Sequence, residues 1–202
     1  MLFFPGIAVG GAVQTAETVP FLIFRELTRT LTYTIPALAL IWFFINRKNT
    51  VAERNPLIPS IRDLYTFAIG FPVMAVTSLV LSFVMTLFPA PLPPRIEAPG
   101  GYAGWIVLVI SCMGTGYLEE SFFRFYILKK LKNWVSSHGV RIAFSVVLFA
   151  VCHAYEGPWG MLNAAVAGFL FATLYERYKS LNGLALAHGT YNIFVYIAAA
   201  YL

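Results

Sequence analysis

The chain has 202 residues, 59% of them hydrophobic and only 11% charged, with a mean hydropathy of +0.73. Soluble domains carry about 25% charged residues, so a water-soluble globular surface is excluded and the fold class is all-α, a polytopic transmembrane bundle of about six to seven helices. The net charge of +5 lies mostly in short loops, where it sets topology and meets anionic lipid head groups. No basic patch is interleaved with aromatics on a polar segment, which argues against nucleic acid as a partner.

In chain order, residues 1–27 form an apolar segment broken by Pro5, several glycines, Glu17 and Pro20. It reads as a membrane span, a half-inserted helix or an interfacial one. It lacks a basic leading region, so it does not read as a cleaved signal peptide. A bilayer core takes about 20 mostly apolar residues per helix. On that measure residues 28–100 hold two spans, near 28–46 and 64–88. Residues 101–202 form a third unit with four, near 104–128, 140–157, 159–176 and 183–202. Loop 47–63 holds four basic residues (Arg47, Lys48, Arg54, Arg62), stretch 129–141 holds four more (Lys129, Lys130, Lys132, Arg141), and loop 177–182 holds Arg177 and Lys179. The alternate loops hold Arg95 alone or none, so the positive-inside rule puts the first set in the cytoplasm. Arg25 and Arg29 fit this rule less well. The proline-rich loop 89–99 is a stiff outer connector. Ala164, Gly168 and Ala172, and Gly6 with Gly10, are spaced for close helix packing. Cys112 and Cys152 fall in apolar runs and read as buried free thiols.

Each ionisable side chain in hydrocarbon costs roughly 2.5–3.5 kcal/mol on insertion scales, so such residues turn inward and mark function. The later spans hold Glu119, Glu120, Arg124, His153, His188 and Asn192. His138 sits in a polar stretch and reads as solvated. At 1.5 Å per residue, Glu119 lies roughly 15 Å from Lys129 and His153 roughly 18 Å from Arg141. His188 and Asn192 lie roughly 13 to 20 Å from Lys179. All three starting points belong to loops on one predicted face, so four polar groups from three helices reach one layer. His188 and Asn192 are four apart and share a helix face; Glu120 and Arg124 are also four apart and pair. Glu119 points about 100° away from Glu120, towards the cluster. The glycines of "MGTG" (113–116) would loosen the helix just before the glutamates. Gly157–Pro158 ends the fourth span just after His153 and suggests a cavity or irregular turn at depth.

Glutamate plus histidine around a water is a hydrolytic set. The carboxylate takes the proton of the water, and a His–Asn face donates to a developing oxyanion. A zinc reading draws on the same residues, with Glu119, His153 and His188 as the three ligands, although no HExxH is present. A packing-only role for each residue and a proton-coupled transporter are the competing readings. The latter is expected to show inverted repeats, which this chain lacks.

"EESFFR" (119–124), "FAVCH" (149–153) and "HGTYN" (188–192) resemble the EExxxR, FxxxH and HxxxN signature of the CAAX-protease and bacteriocin-processing family, also called the Abi family. The resemblance covers roughly residues 101–202. It implies a glutamate-dependent intramembrane endopeptidase, although members are also described as metalloproteases. By position, Glu119 is the implied general base and His153 helps to activate the water. His188 and Asn192 form the oxyanion site, with Glu120 and Arg124 in support. No cofactor is expected from the metal-free version. The implied substrate is a membrane-associated or lipidated peptide or protein. Compact size and short loops suggest a prokaryotic inner membrane, where bacteriocin immunity or a non-catalytic scaffold is the rival role within the family.

Overall fold

The computed structural model describes residues 18–46, 57–88 and 95–201. Helix α1 (Ile23–Arg29) runs through a π-helical stretch (Thr30–Thr34) into α2 (Ile35–Asn46). Then follow α3 (Ile61–Met85), α4 (Gly101–Glu120), a π-helical stretch (Ser121–Ile127), α5 (Leu128–Leu131) and α6 (His138–Cys152). A single 3-10 turn (Ala154–Glu156) leads into α7 (Gly157–Tyr178), and α8 (Leu181–Tyr201) completes the bundle. The only extended pairing among the described residues joins β1 (Thr18–Val19) to β2 (Arg95–Ile96) in parallel. It ties the segment before α1 to the segment before α4.

Five helical stretches are long and apolar enough to cross a bilayer: Ile23–Ile45, Ile61–Met85, Gly101–Leu131, Ala154–Tyr178 and Leu181–Tyr201. The chain is an integral, multi-pass membrane protein. The first span begins at Ile23 rather than 28, so Arg25 and Arg29 lie inside it rather than before it. Their charge is met by Glu26, at 3.4 Å from Arg25 Nε and 2.7 Å from Arg29 Nη2. Helix α6 differs from expectation in length: its 15 residues rise only about 22 Å. The chain then turns back at Ala154–Glu156, so the end of α6 lies at depth. Residues 1–17, 47–56 and 89–94, with the Gly6/Gly10 pair, much of loop 47–63 and the proline-rich stretch, lie outside the described residues.

The core sits around α8, which packs between α4 and α3. Met74, Phe123, Phe149, Phe171, Leu184, Ala187 and Tyr191 form its main cluster. By contrast Phe24, Leu31, Phe83 and Tyr102 stand mostly exposed, as lipid-facing side chains do where there is no penalty for apolar exposure. Ala164, Gly168 and Ala172 are buried, the close packing their spacing predicts. Cys112 is buried, but Cys152 is exposed, because it falls on the outward face of α6. At the end bearing the basic stretches, Asp63 Oδ2 accepts from the Ser60 amide (2.6 Å) and Oδ1 from Ser180 Oγ (2.5 Å). This bond fixes the turn between α7 and α8 against the start of α3. His138 is exposed, as expected, beside Arg141 and Glu176.

Candidate active site

The site begins with a helix crossing. A Cβ on Gly116 would lie 2.6 Å from the Ala185 carbonyl oxygen, and one on Gly189 would lie 2.6 Å from Met113 Sδ. These two glycines let the backbones of α4 and α8 touch, which draws the end of α4 onto His188. The expectation that "MGTG" loosens the helix is corrected here. Helix α4 stays regular through Gly114 and Gly116, because their role is close approach. The irregularity comes after the glutamates, in the π-helical stretch Ser121–Ile127. Such stretches free a backbone carbonyl and gather at functional sites. In this one the Phe123 carbonyl accepts from Ser145 Oγ of α6 at 3.1 Å.

The two adjacent glutamates part ways. Glu120 is fully buried, with Oε2 3.2 Å from Arg124 Nε and Oε1 2.8 Å from His188 Nδ1. Arg124 is also fully buried, and its guanidinium lies 4.4 Å from the Phe149 ring centroid. The expected Glu120–Arg124 pair is present, and the motif phenylalanine is the face on which the arginine rests. Glu119 turns the other way. Its Oε2 stands 3.7 Å from His188 Nε2, so the ring of His188 lies between the two carboxylates.

His153 ends α6, with φ −102° and ψ 12°. Its Nδ1 lies 2.8 Å from the Phe149 carbonyl oxygen. A carbonyl only accepts, so Nδ1 carries the proton and the neutral ring keeps its Nε2 lone pair. The ring lies tilted at 47° against Phe149, centroids 4.5 Å apart. The turn expected after His153 is present, and Gly157 permits it: φ is +78° there, a conformation that costs a residue with a Cβ.

Glu119, His153, His188 and Asn192 all line one cavity of about 70 Å³. A polar cavity of that volume holds water. Asn192 is 7% exposed, and its amide makes no side-chain hydrogen bond among the described residues, so its donors remain available to an occupant. Among the described residues no three His, Cys, Asp or Glu side chains are gathered to hold a metal ion. The bond from His188 Nδ1 to Glu120 turns Nε2 towards Glu119, an orientation that serves a hydrogen bond or a metal ligand equally.

The remaining wall carries residues that sequence reasoning missed. Ser78 Oγ donates to Asn163 Oδ1 (3.0 Å), Asn163 Nδ2 donates to the Tyr191 hydroxyl (3.2 Å), and Tyr191 meets Ser78 at 2.5 Å. This ring joins α3, α7 and α8, and Asn163 and Tyr191 face the cavity, as does Glu156. The available signal was adjacency: Tyr191 precedes Asn192, and Glu156 follows His153 by three. A second, half-buried ionic cluster, also unforeseen, joins Glu26, Arg29 and Ser111. Ser111 Oγ donates to Glu26 Oε2 at 2.9 Å, and Arg29 Nη2 donates to Ser111 Oγ. A small cavity of about 20 Å³ beside it also touches Asn192.

Fold and site together define an α-helical membrane protein with a carboxylate–imidazole cluster enclosed in its bundle. Residues 101–194 match the model of the family Type II CAAX prenyl endopeptidase Rce1-like. Over those residues the resemblance read from the three motifs is shown, and it supports a CAAX-protease-like function at the membrane. No curated protein and no solved structure matches.

Proposed function

We propose that the protein is an intramembrane endopeptidase in which Glu119 is the general base. One observation carries this reading: Glu119 Oε2 stands 3.7 Å from His188 Nε2 at the edge of a cavity that His153 and Asn192 also line. A water in that cavity gives a proton to Glu119 as its oxygen bonds to the scissile carbonyl carbon. The His153 Nε2 lone pair accepts the water's other hydrogen and orients it. The carbonyl π pair moves onto oxygen, and the oxyanion takes hydrogen bonds from the Asn192 amide and the His188 imidazole. When the oxyanion collapses, the C–N bond breaks and Glu119 passes its proton to the leaving amine. Glu120 and Arg124 are positioning residues: Glu120 fixes the His188 ring through Nδ1, and Arg124 holds Glu120.

The substrate in this reading is a membrane-associated or lipidated peptide or protein, cleaved in a prokaryotic inner membrane. The test compares membrane peptides in cells carrying the wild-type chain or Glu119→Ala. A processed peptide that accumulates uncut only with Glu119→Ala supports the proposal. Identical peptide profiles, with both chains equally abundant, contradict it.

A further inference from the structure

Glu156 lines the same cavity as Glu119, yet it belongs to none of the three motifs. Its Oε1 accepts from the Tyr155 hydroxyl at 2.9 Å, which fixes the carboxylate. It is the residue before α7, but its side chain makes no capping hydrogen bond, so holding the helix end does not account for it. Among the described residues no group donates to Oε2. The side chain lies over the first turn of α7 because residue 160 is glycine: a Cβ there would overlap Glu156 Cβ and come within 2.9 Å of Oε2. No lysine or arginine is among the described residues lining the cavity. Arg124 is sealed behind Phe149 and already paired with Glu120. The basic groups lining it among the described residues are the imidazoles of His153 and His188, and neither donates to Glu156. The Asn192 amide, nine-tenths buried and unbonded on the same cavity, points independently to an occupant that brings its own polar groups.

We propose that Glu156 forms a subsite for a cationic group of the substrate, an ammonium or guanidinium on a residue flanking the scissile bond. The inference rests on the endopeptidase reading and deepens it by naming a substrate feature. A carboxylate with one oxygen anchored and the other open suits an ammonium or guanidinium donor, the pairing that gives the stronger, charge-assisted hydrogen bonds. The Tyr155–Glu156 bond and the absence of a side chain at 160 pre-orient the acceptor.

The test reads binding apart from turnover. Full-length Glu119→Ala protein in detergent is titrated with acetyl-capped alanine–leucine peptides carrying one lysine, moved along the chain, or norleucine in its place. Uncapped norleucine peptides separate a terminal ammonium from a side-chain cation. At one position lysine should bind about tenfold more tightly than norleucine, the scale of one charge-assisted bond. Adding Glu156→Gln should remove that preference and leave norleucine peptides within about twofold. Adding Glu156→Lys should reverse it towards a peptide with glutamate at that position, an outcome a misfolded protein would not give. Equal binding of lysine and norleucine peptides throughout, or a lysine preference that survives Glu156→Gln, overturns the subsite. Failure of the wild-type protein to cleave the peptides it binds counts against the endopeptidase reading and leaves the subsite standing.

Discussion

Two glutamate–arginine clusters lie within the bundle, one half-buried and one fully buried, and they differ in what lies beyond them. Near the start of the first span, Glu26 pairs with Arg29 three residues on, and Ser111 completes the set. Each member is met by another, and the adjoining cavity is small. At the end of α4, Glu120 pairs with Arg124 four residues on, but its second oxygen holds His188, whose far nitrogen faces Glu119 and a cavity large enough for water. The first cluster is closed. The second hands its orientation outward through an imidazole. An ion pair inside a membrane span is thus weak evidence of function by itself; a titratable group linked to it that borders a wet cavity is stronger evidence.

That contrast can be broken or sharpened by substitution. The largest effect belongs to Glu119→Ala, which should lower cleavage by up to about 10⁴-fold, the upper range for a positioned base, with its thermal unfolding in detergent unchanged. Next comes Arg124→Leu, which leaves the buried Glu120 with only its bond to His188 and should cost about 3–5 kcal/mol of stability, read as a lowered unfolding midpoint. Asn192→Ala should reduce kcat by about 10²–10³-fold through the lost oxyanion donor, with KM little altered; an equal rise in KM alone would place Asn192 in ground-state binding instead. The smallest effect is expected from Glu26→Leu combined with Arg29→Met. Replacing both members of a buried pair by apolar groups is often near neutral, so cleavage should stay within about twofold. A collapse of activity in that double variant would show that the closed cluster also serves the site.

Much of this was legible because membrane burial makes polar residues conspicuous. Glu119, His153, His188 and Asn192 stood out against apolar runs, and helical rise alone placed them in one layer. Pairing of Glu120 with Arg124 followed from four-residue spacing. What the sequence hid came from contacts between helices. The glycines at 116 and 189 look alike in sequence whether they loosen a helix or bring two together, and only the crossing of α4 with α8 decides. The bond from His188 to Glu120 depends on the ring's rotation about that crossing. Ser78, Asn163 and Tyr191 are ordinary residues singly, and their hydrogen-bonded ring exists only because α3, α7 and α8 meet. Arg25 and Arg29 fit the positive-inside pattern poorly because a charge count along the chain does not register that Glu26 lies between them and that α4 supplies Ser111.

The central claim is that the Glu119 carboxylate, as distinct from its neighbour, performs the proton transfer. It is tested most directly by turnover of a defined membrane peptide by reconstituted wild-type and Glu119→Gln protein, with folding of both verified by thermal unfolding. The account predicts an intact fold and no measurable turnover in Glu119→Gln. Cleavage at the wild-type rate by that folded variant would contradict it.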